Sequence, residues 1–131
     1  SLNVAKINSN QIEISAAAMP PSYLFKAKTK KCDEIMIEGL PLGGLRDETF
    51  SMQKHNFESG DILVMLSDGL PEATNDKNEM FDYERIKLLI EKNGNKGSNE
   101  LKKILFENLN DWLESLIPED DVTVVIVKKI D

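Results

Sequence analysis

Through residue 66 the apolar positions come in short runs broken by turn residues. Between residues 82 and 117 they recur at spacings of three and four, and a short β-branched run returns near the C-terminus. "LNVAKIN" and "QIEISAA" flank Ser9-Asn10 and predict two strands joined by a polar, hairpin-like break. In "AMPPSYLF", Pro20 and Pro21 stop regular pairing, and Tyr23, Leu24 and Phe25 restart it. "DEIMIE", the loop "GLPLGG" and "TFSMQKHNF" follow, with Phe50 and Met52 on one face of the last. "ESGD" then turns the chain into "ILVML", Ile62 to Leu66. That run does not alternate, which predicts a strand covered on both faces.

The second half changes period. "DYERIKLLIEKNG" predicts a helix with Asp82 as N-cap, Ile86, Leu89 and Ile90 on one stripe, and Gly94 as its stop. "SNELKKILFENLNDWLESLI" predicts another, with Ser98 as N-cap. Its apolar face is Leu101, Ile104, Leu105, Leu109, Trp112, Leu113 and Leu116, so that Lys102, Lys103 and Asn110 face water. Pro118 closes it, and "DVTVVIVKKI" is a last strand. The connection from Asp68 to Asp82 carries Pro, Asn, Asp and Lys and reads as an exposed, mobile loop. Five or six meandering strands, two helices and a returning strand predict an α+β fold with a largely antiparallel sheet.

Length and charge narrow the class. The 131 residues fit one domain, 1–131, with one core. A net charge of -7 argues against nucleic acid or an anionic membrane as the main partner. No apolar stretch is long enough to span a bilayer. Cys32 stands alone, so no internal disulfide forms, which fits a reducing, cytoplasmic setting. The chain starts at Ser1 and is strand-like within a few residues, as at the cut edge of a longer protein.

Two apolar strands carry carboxylates at one end. Asp68 follows "ILVMLS", and Glu119, Asp120 and Asp121 precede "VTVVIV". If those strands are antiparallel neighbours, Asp68 faces Asp120 or Asp121 across a short gap. Like charges that close are costly unless a cation lies between them or one takes a proton. Hard divalent ions want such oxygen ligands, and Gly69 lets the backbone approach closely. The plainer reading is an Asp-Gly turn and an acidic loop, since each motif alone is an ordinary turn signal. His55 sits in a strand-like segment with no Ser-His-Asp order around it, and Cys32 has no partner motif. "GLPLGG" opens no helix, so it is not a phosphate-cradling loop. Lys26, Lys28, Lys30 and Lys31 read as a solvated hairpin loop, with docking of an acidic partner as the minority alternative.

Taken in order, these segments resemble the C-terminal part of the SpoIIE/RsbU-type bacterial serine phosphatases, metal-dependent enzymes related to type 2C. Ser67-Asp68-Gly69 stands for the family's TDG, Glu72-Ala73 for its EA, and Asp120-Asp121-Val122-Thr123 for its DD-x-T. "MFDYERI" corresponds to its F-G-x-x-R segment, "SAAAMPPSYLF" to its small-residue-then-PP segment, and "GLPLGG" to its G-x-P-L-G loop. The resemblance implies a two-sheet sandwich with flanking helices, a partial α-β-β-α phosphatase fold. It also implies Mn²⁺ or Mg²⁺, two ions in the complete family site. The metal residues carried over are Asp68, Gly69 and Asp120, with Asp121 beside them. No catalytic side chain is implied, because metal-activated water does the hydrolysis. The implied substrate is phosphoserine or phosphothreonine on a regulatory protein of anti-anti-sigma type. Two departures stand out: Ala17-Ala18-Met19 replaces the family's A-G-H, and the family's Asp-Gly-His-Gly is missing. The chain is therefore expected to be the C-terminal portion of a longer phosphatase domain, poorly active in isolation. The alternative is a non-catalytic pseudophosphatase or signalling partner-binding module.

Overall fold

The computed structural model describes all residues, 1–131. Seven strands and two helices follow one another in the order β1 (Leu2–Ile7), β2 (Gln11–Ala17), β3 (Ser22–Lys26), β4 (Lys31–Ile35), β5 (Met52–Asn56), β6 (Ile62–Leu66), α1 (Tyr83–Asn93), α2 (Ser98–Leu113) and β7 (Val124–Lys128). They make two antiparallel sheets, one ordered β1-β2-β5 and the other β4-β3-β6-β7. The α+β class is present, and so is the expected order of five or six strands, two helices and a returning strand, with six strands before α1.

The non-alternating run of β6 has a direct cause: it lies between two cores, where chain length leads to the expectation of one. Ile62, Val64 and Leu66 join Tyr23 and Phe25 of β3 against Ile86, Ile90, Leu101, Leu105, Leu109 and Leu113 of the helices. Leu63 points the other way and joins Leu24, Ile12, Ile14, Ala16 and Phe57 between the two sheets. With both pleat faces covered, every position except the half-buried Met65 is apolar and buried. The layers therefore run sheet, sheet, helices. A Cβ at Gly94, the end of α1, would fall 2.3 Å from Phe25 Cζ, so the helix closes onto the sheet only because that residue has none.

Several local features differ from the sequence reading. Asp82 caps α1 as expected, its Oδ1 accepting from Tyr83 N at 2.7 Å, and it does so at φ 76°. α2 is capped at Gly97 with no side-chain hydrogen bond; Ser98 is already helical. The 68–82 connection is anchored at both ends: Leu70, Ala73 and Phe81 are buried, while Asp68, Glu72, Asp82 and the tip around the Thr74–Met80 bridge are exposed. Lys26 belongs to no solvated patch. Its ammonium pairs with buried Asp61 and donates to Asn56 O at 2.9 Å, so it ties the helix-side sheet to the end of β5.

Candidate metal centre

The site grows from the register between β6 and β7. Leu66 pairs with Val124, so the residues just past each strand end meet at one rim of the sheet. Ser67 fastens them. Its N–H donates to Thr123 O at 3.0 Å, and its hydroxyl accepts from Thr123 N at 2.9 Å and donates to Asp121 O at 3.0 Å. Gly69 then lies directly on the Asp120-Asp121 backbone: a Cβ there would sit 2.5 Å from Asp121 O and 3.2 Å from Asp120 O. Two segments more than fifty residues apart are joined with no room for a side chain.

Asp68, Asp120 and Asp121 are all exposed, so their carboxylates are accessible to a cation. Asp120 Oδ1 accepts from Asp121 N at 2.7 Å, holding the Asp120 side chain toward its own backbone turn. Asp68 lines a cavity of about 480 Å³ with Glu34, Glu72, Tyr83 and the Met19–Pro21 segment. Asp120 lines a neighbouring cavity of about 320 Å³ with Gly69, Glu72 and Glu119. Glu72 borders both. It was legible in the Glu-Ala motif but not singled out as a site residue. Tyr83, likewise unmarked in the sequence, has its phenol pushed up first by burial and then by the charges of Glu72, Asp68 and Asp82.

Donor chemistry decides what fits here. The candidate side-chain ligands are carboxylate oxygens and Gly69 offers only its backbone carbonyl, so every donor is an oxygen of the kind suited to Mg²⁺ or Mn²⁺. No group of three or more His, Cys, Asp or Glu side chains is placed to hold a metal ion. The residues thus match such an ion by donor type alone. Other candidates lie elsewhere. His55 is half-buried on β5 and bonds Gln53 across the ring nitrogen at 3.3 Å. Cys32 is buried beside α1, its N–H donating to Glu91 Oε1 at 2.9 Å.

The family described as Stage II sporulation protein E (SpoIIE) matches residues 2–129. The chain belongs to the SpoIIE family. It is 23% identical over 123 residues to the phosphoserine phosphatase RsbU of Bacillus subtilis (strain 168), covering 94% of this chain and 36% of that protein. Among solved structures it superposes on the phosphatase domain of the cell fate determinant SpoIIE from Bacillus subtilis, presoaked with Mn, with a TM-score of 0.68. The identity there is 18%, over 98% of this chain and 56% of that one. The RsbU and RsbW domains of Rv1364c from Mycobacterium tuberculosis give a TM-score of 0.72 at 21% identity, over 98% of this chain and 35% of that one. The fold is thus that of the phosphatase domains, and the chain spans about a third of the length of the curated relative.

Proposed function

We propose that this chain is the C-terminal portion of a metal-dependent serine/threonine protein phosphatase domain. Its substrate class is phosphoserine or phosphothreonine on a regulatory protein of anti-anti-sigma type, with Mn²⁺ or Mg²⁺ as cofactor. The observation that carries the reading is the close contact of Gly69 with the Asp120-Asp121 backbone, which gathers the family's two carboxylate motifs at one sheet rim. Membership of the SpoIIE family and similarity to a protein named phosphoserine phosphatase support it. The partner-switching context is supported by the RsbU and RsbW domains of the Mycobacterium tuberculosis neighbour.

Asp68 and Asp120 would hold the ion, with Asp121 beside them. When bound, the metal supplies Lewis-acid activation of water and neutralises charge on the phosphoryl group. The chain's own residues contribute position. The Ser67 hydroxyl is committed to Asp121 O and Thr123 N, so it locks the two strand ends together instead of acting as a nucleophile. Gly69 keeps the carboxylate-bearing segments in contact.

A non-catalytic partner-binding module is the second reading, favoured because no three His, Cys, Asp or Glu side chains converge to hold an ion. Titration with Mn²⁺ and p-nitrophenyl phosphate separates the two. The expected result is slow, Mn²⁺-dependent turnover that Asp68→Ala abolishes. Gly69→Ala should act in the same direction, because overpacking at the Asp121 carbonyl parts the strand ends at a cost of about 1–3 kcal/mol. Turnover that survives Asp68→Ala, or no response to Mn²⁺ in either activity or melting temperature, would leave the binding reading standing.

A further inference from the structure

The single tryptophan of the chain packs at the margin of the helix-side core. Trp112 is half-buried near the end of α2, and its Nε1–H donates to Glu79 O at 3.3 Å. The Arg85 guanidinium covers its ring at 4.1 Å, and Phe81 meets it edge-on with centroids 6.2 Å apart at 72°. Arg85 is fixed in turn by its Nε–H donating to Phe81 O at 3.0 Å. One side chain therefore grips the 79–81 stretch from three directions: a hydrogen bond, a cation over its face and an aromatic edge.

That stretch is wired to Asp68. Phe81 N donates to Ala73 O and Asp82 N to Pro71 O, each at 2.8 Å, so the returning limb of the loop is laced to the outgoing limb. Glu72 N on the outgoing limb donates to Asp68 O at 3.0 Å. The opposite side of the site leaves from the same place. α2 ends at Leu113, Glu114 N closes it onto Asn110 O at 2.9 Å, and the chain runs through Pro118 into Asp120 and Asp121. Both carboxylate segments are thus registered against one helix end, the first through Trp112 and the second by direct continuation.

We propose that Trp112 is a positioning residue for the Asp68–Asp120 rim, a latch that sets the Asp68 segment against the Asp120 segment through Glu79, Phe81 and Glu72. This rests on the reading of Asp68 and Asp120 as ion-holding residues. The latch makes α2's C-terminal end the point from which the geometry of the site is controlled. Anything that shifts Trp112 relaxes the Asp68 segment while leaving the buried β6 strand intact.

Trp112→Phe tests this, since it keeps an aromatic face for Arg85 and Phe81 and removes only the N–H and one ring. Amide hydrogen exchange read residue by residue should show Phe81, Asp82 and Glu72 opening about tenfold faster, with Val64 unchanged. The Mn²⁺ dissociation constant should rise about tenfold, the range seen when groups that orient metal ligands are lost. Faster exchange confined to residues 79–81, with Glu72 and Mn²⁺ affinity unchanged, would reduce Trp112 to packing and overturn the proposal. Should Trp112→Phe fail to fold, Arg85→Met strips the exposed cation from the ring and is decided by the same two readouts. If the wild-type chain takes up no Mn²⁺, the metal reading falls, and exchange at Glu72 alone still decides the latch.

Discussion

Asp61 shows how much a single residue can hide in a sequence. In "ESGD" it reads as a turn carboxylate, yet it is 1% exposed, paired with Lys26 and accepting from Ala27 N and Glu58 N at 2.9 Å each. Glu58 lies in the same turn, but Lys26 and Ala27 come from a hairpin more than thirty residues upstream, so no local pattern could reveal the full enclosure. A carboxylate so enclosed is tolerable only because each oxygen has a donor. Cys32 is the converse case, a residue whose isolation in sequence was informative. Burial pushes its thiol up to about 12, with the Glu91 charge acting in the same direction. The folded state therefore holds the proton more tightly than the unfolded chain. Its contribution to stability is complete below pH 9 and is lost as pH rises from 9 toward 12. At pH 8 the native protein should resist a thiol reagent such as dithionitrobenzoate that modifies it at once in urea. Rapid native labelling would mean that the β4 edge opens under α1.

At the scale of elements, α2 follows its periodicity with two revisions: Trp112 is marginal, and the helix ends at Leu113, which leaves Leu116 beyond it and 46% exposed. Leu101, Leu105, Leu109 and Leu113 are buried, and Lys102, Lys103 and Asn110 are exposed. Trp112 shares that face in projection, but it lies at the margin, packed on the core and hydrogen-bonded to the loop. Leu109→Ala should cost about 2–5 kcal/mol in a urea melt, as deletions in closed cores do. Lys103→Ala should stay within about 0.5 kcal/mol. Trp112→Ala should fall at or below the lower end of the 3–5 kcal/mol typical of buried aromatics, since part of its ring already meets solvent. A Trp112 loss well above that of Leu109 would place the tryptophan in the core after all.

For the whole molecule, the sheet β1-β2-β5 is the thin side. Its inner face supplies Ile12 and Ile14 to the core, whereas its outer face carries Leu2, Val4 and Met52 at 46, 49 and 52% exposure. Val4 and Met52 both pair with Ser15, so they lie on one face and flank that serine across the three strands. An exposed apolar face with a free edge strand is a route to association. Sedimentation velocity at rising concentration should show weak self-association of this chain, reduced by Val4→Lys. Concentration-independent sedimentation of both proteins would show that the charges of Lys6, Glu13 and Lys54 on the same sheet suffice to keep it apart.

By itself the sequence determined the order and type of the elements, because periods of two and 3.6 are local properties of the backbone. It also carried the family's motifs around Asp68 and Asp120, because those are strings of adjacent residues. What only the tertiary structure decided were relations between distant segments: the β6–β7 register, the Gly69 contact on Asp121, the Asp61 enclosure and the Trp112 grip on Glu79. Each of these depends on which strand ends and helix ends become neighbours. That is settled by the packing of two cores on opposite faces of one sheet, and no window of sequence contains it.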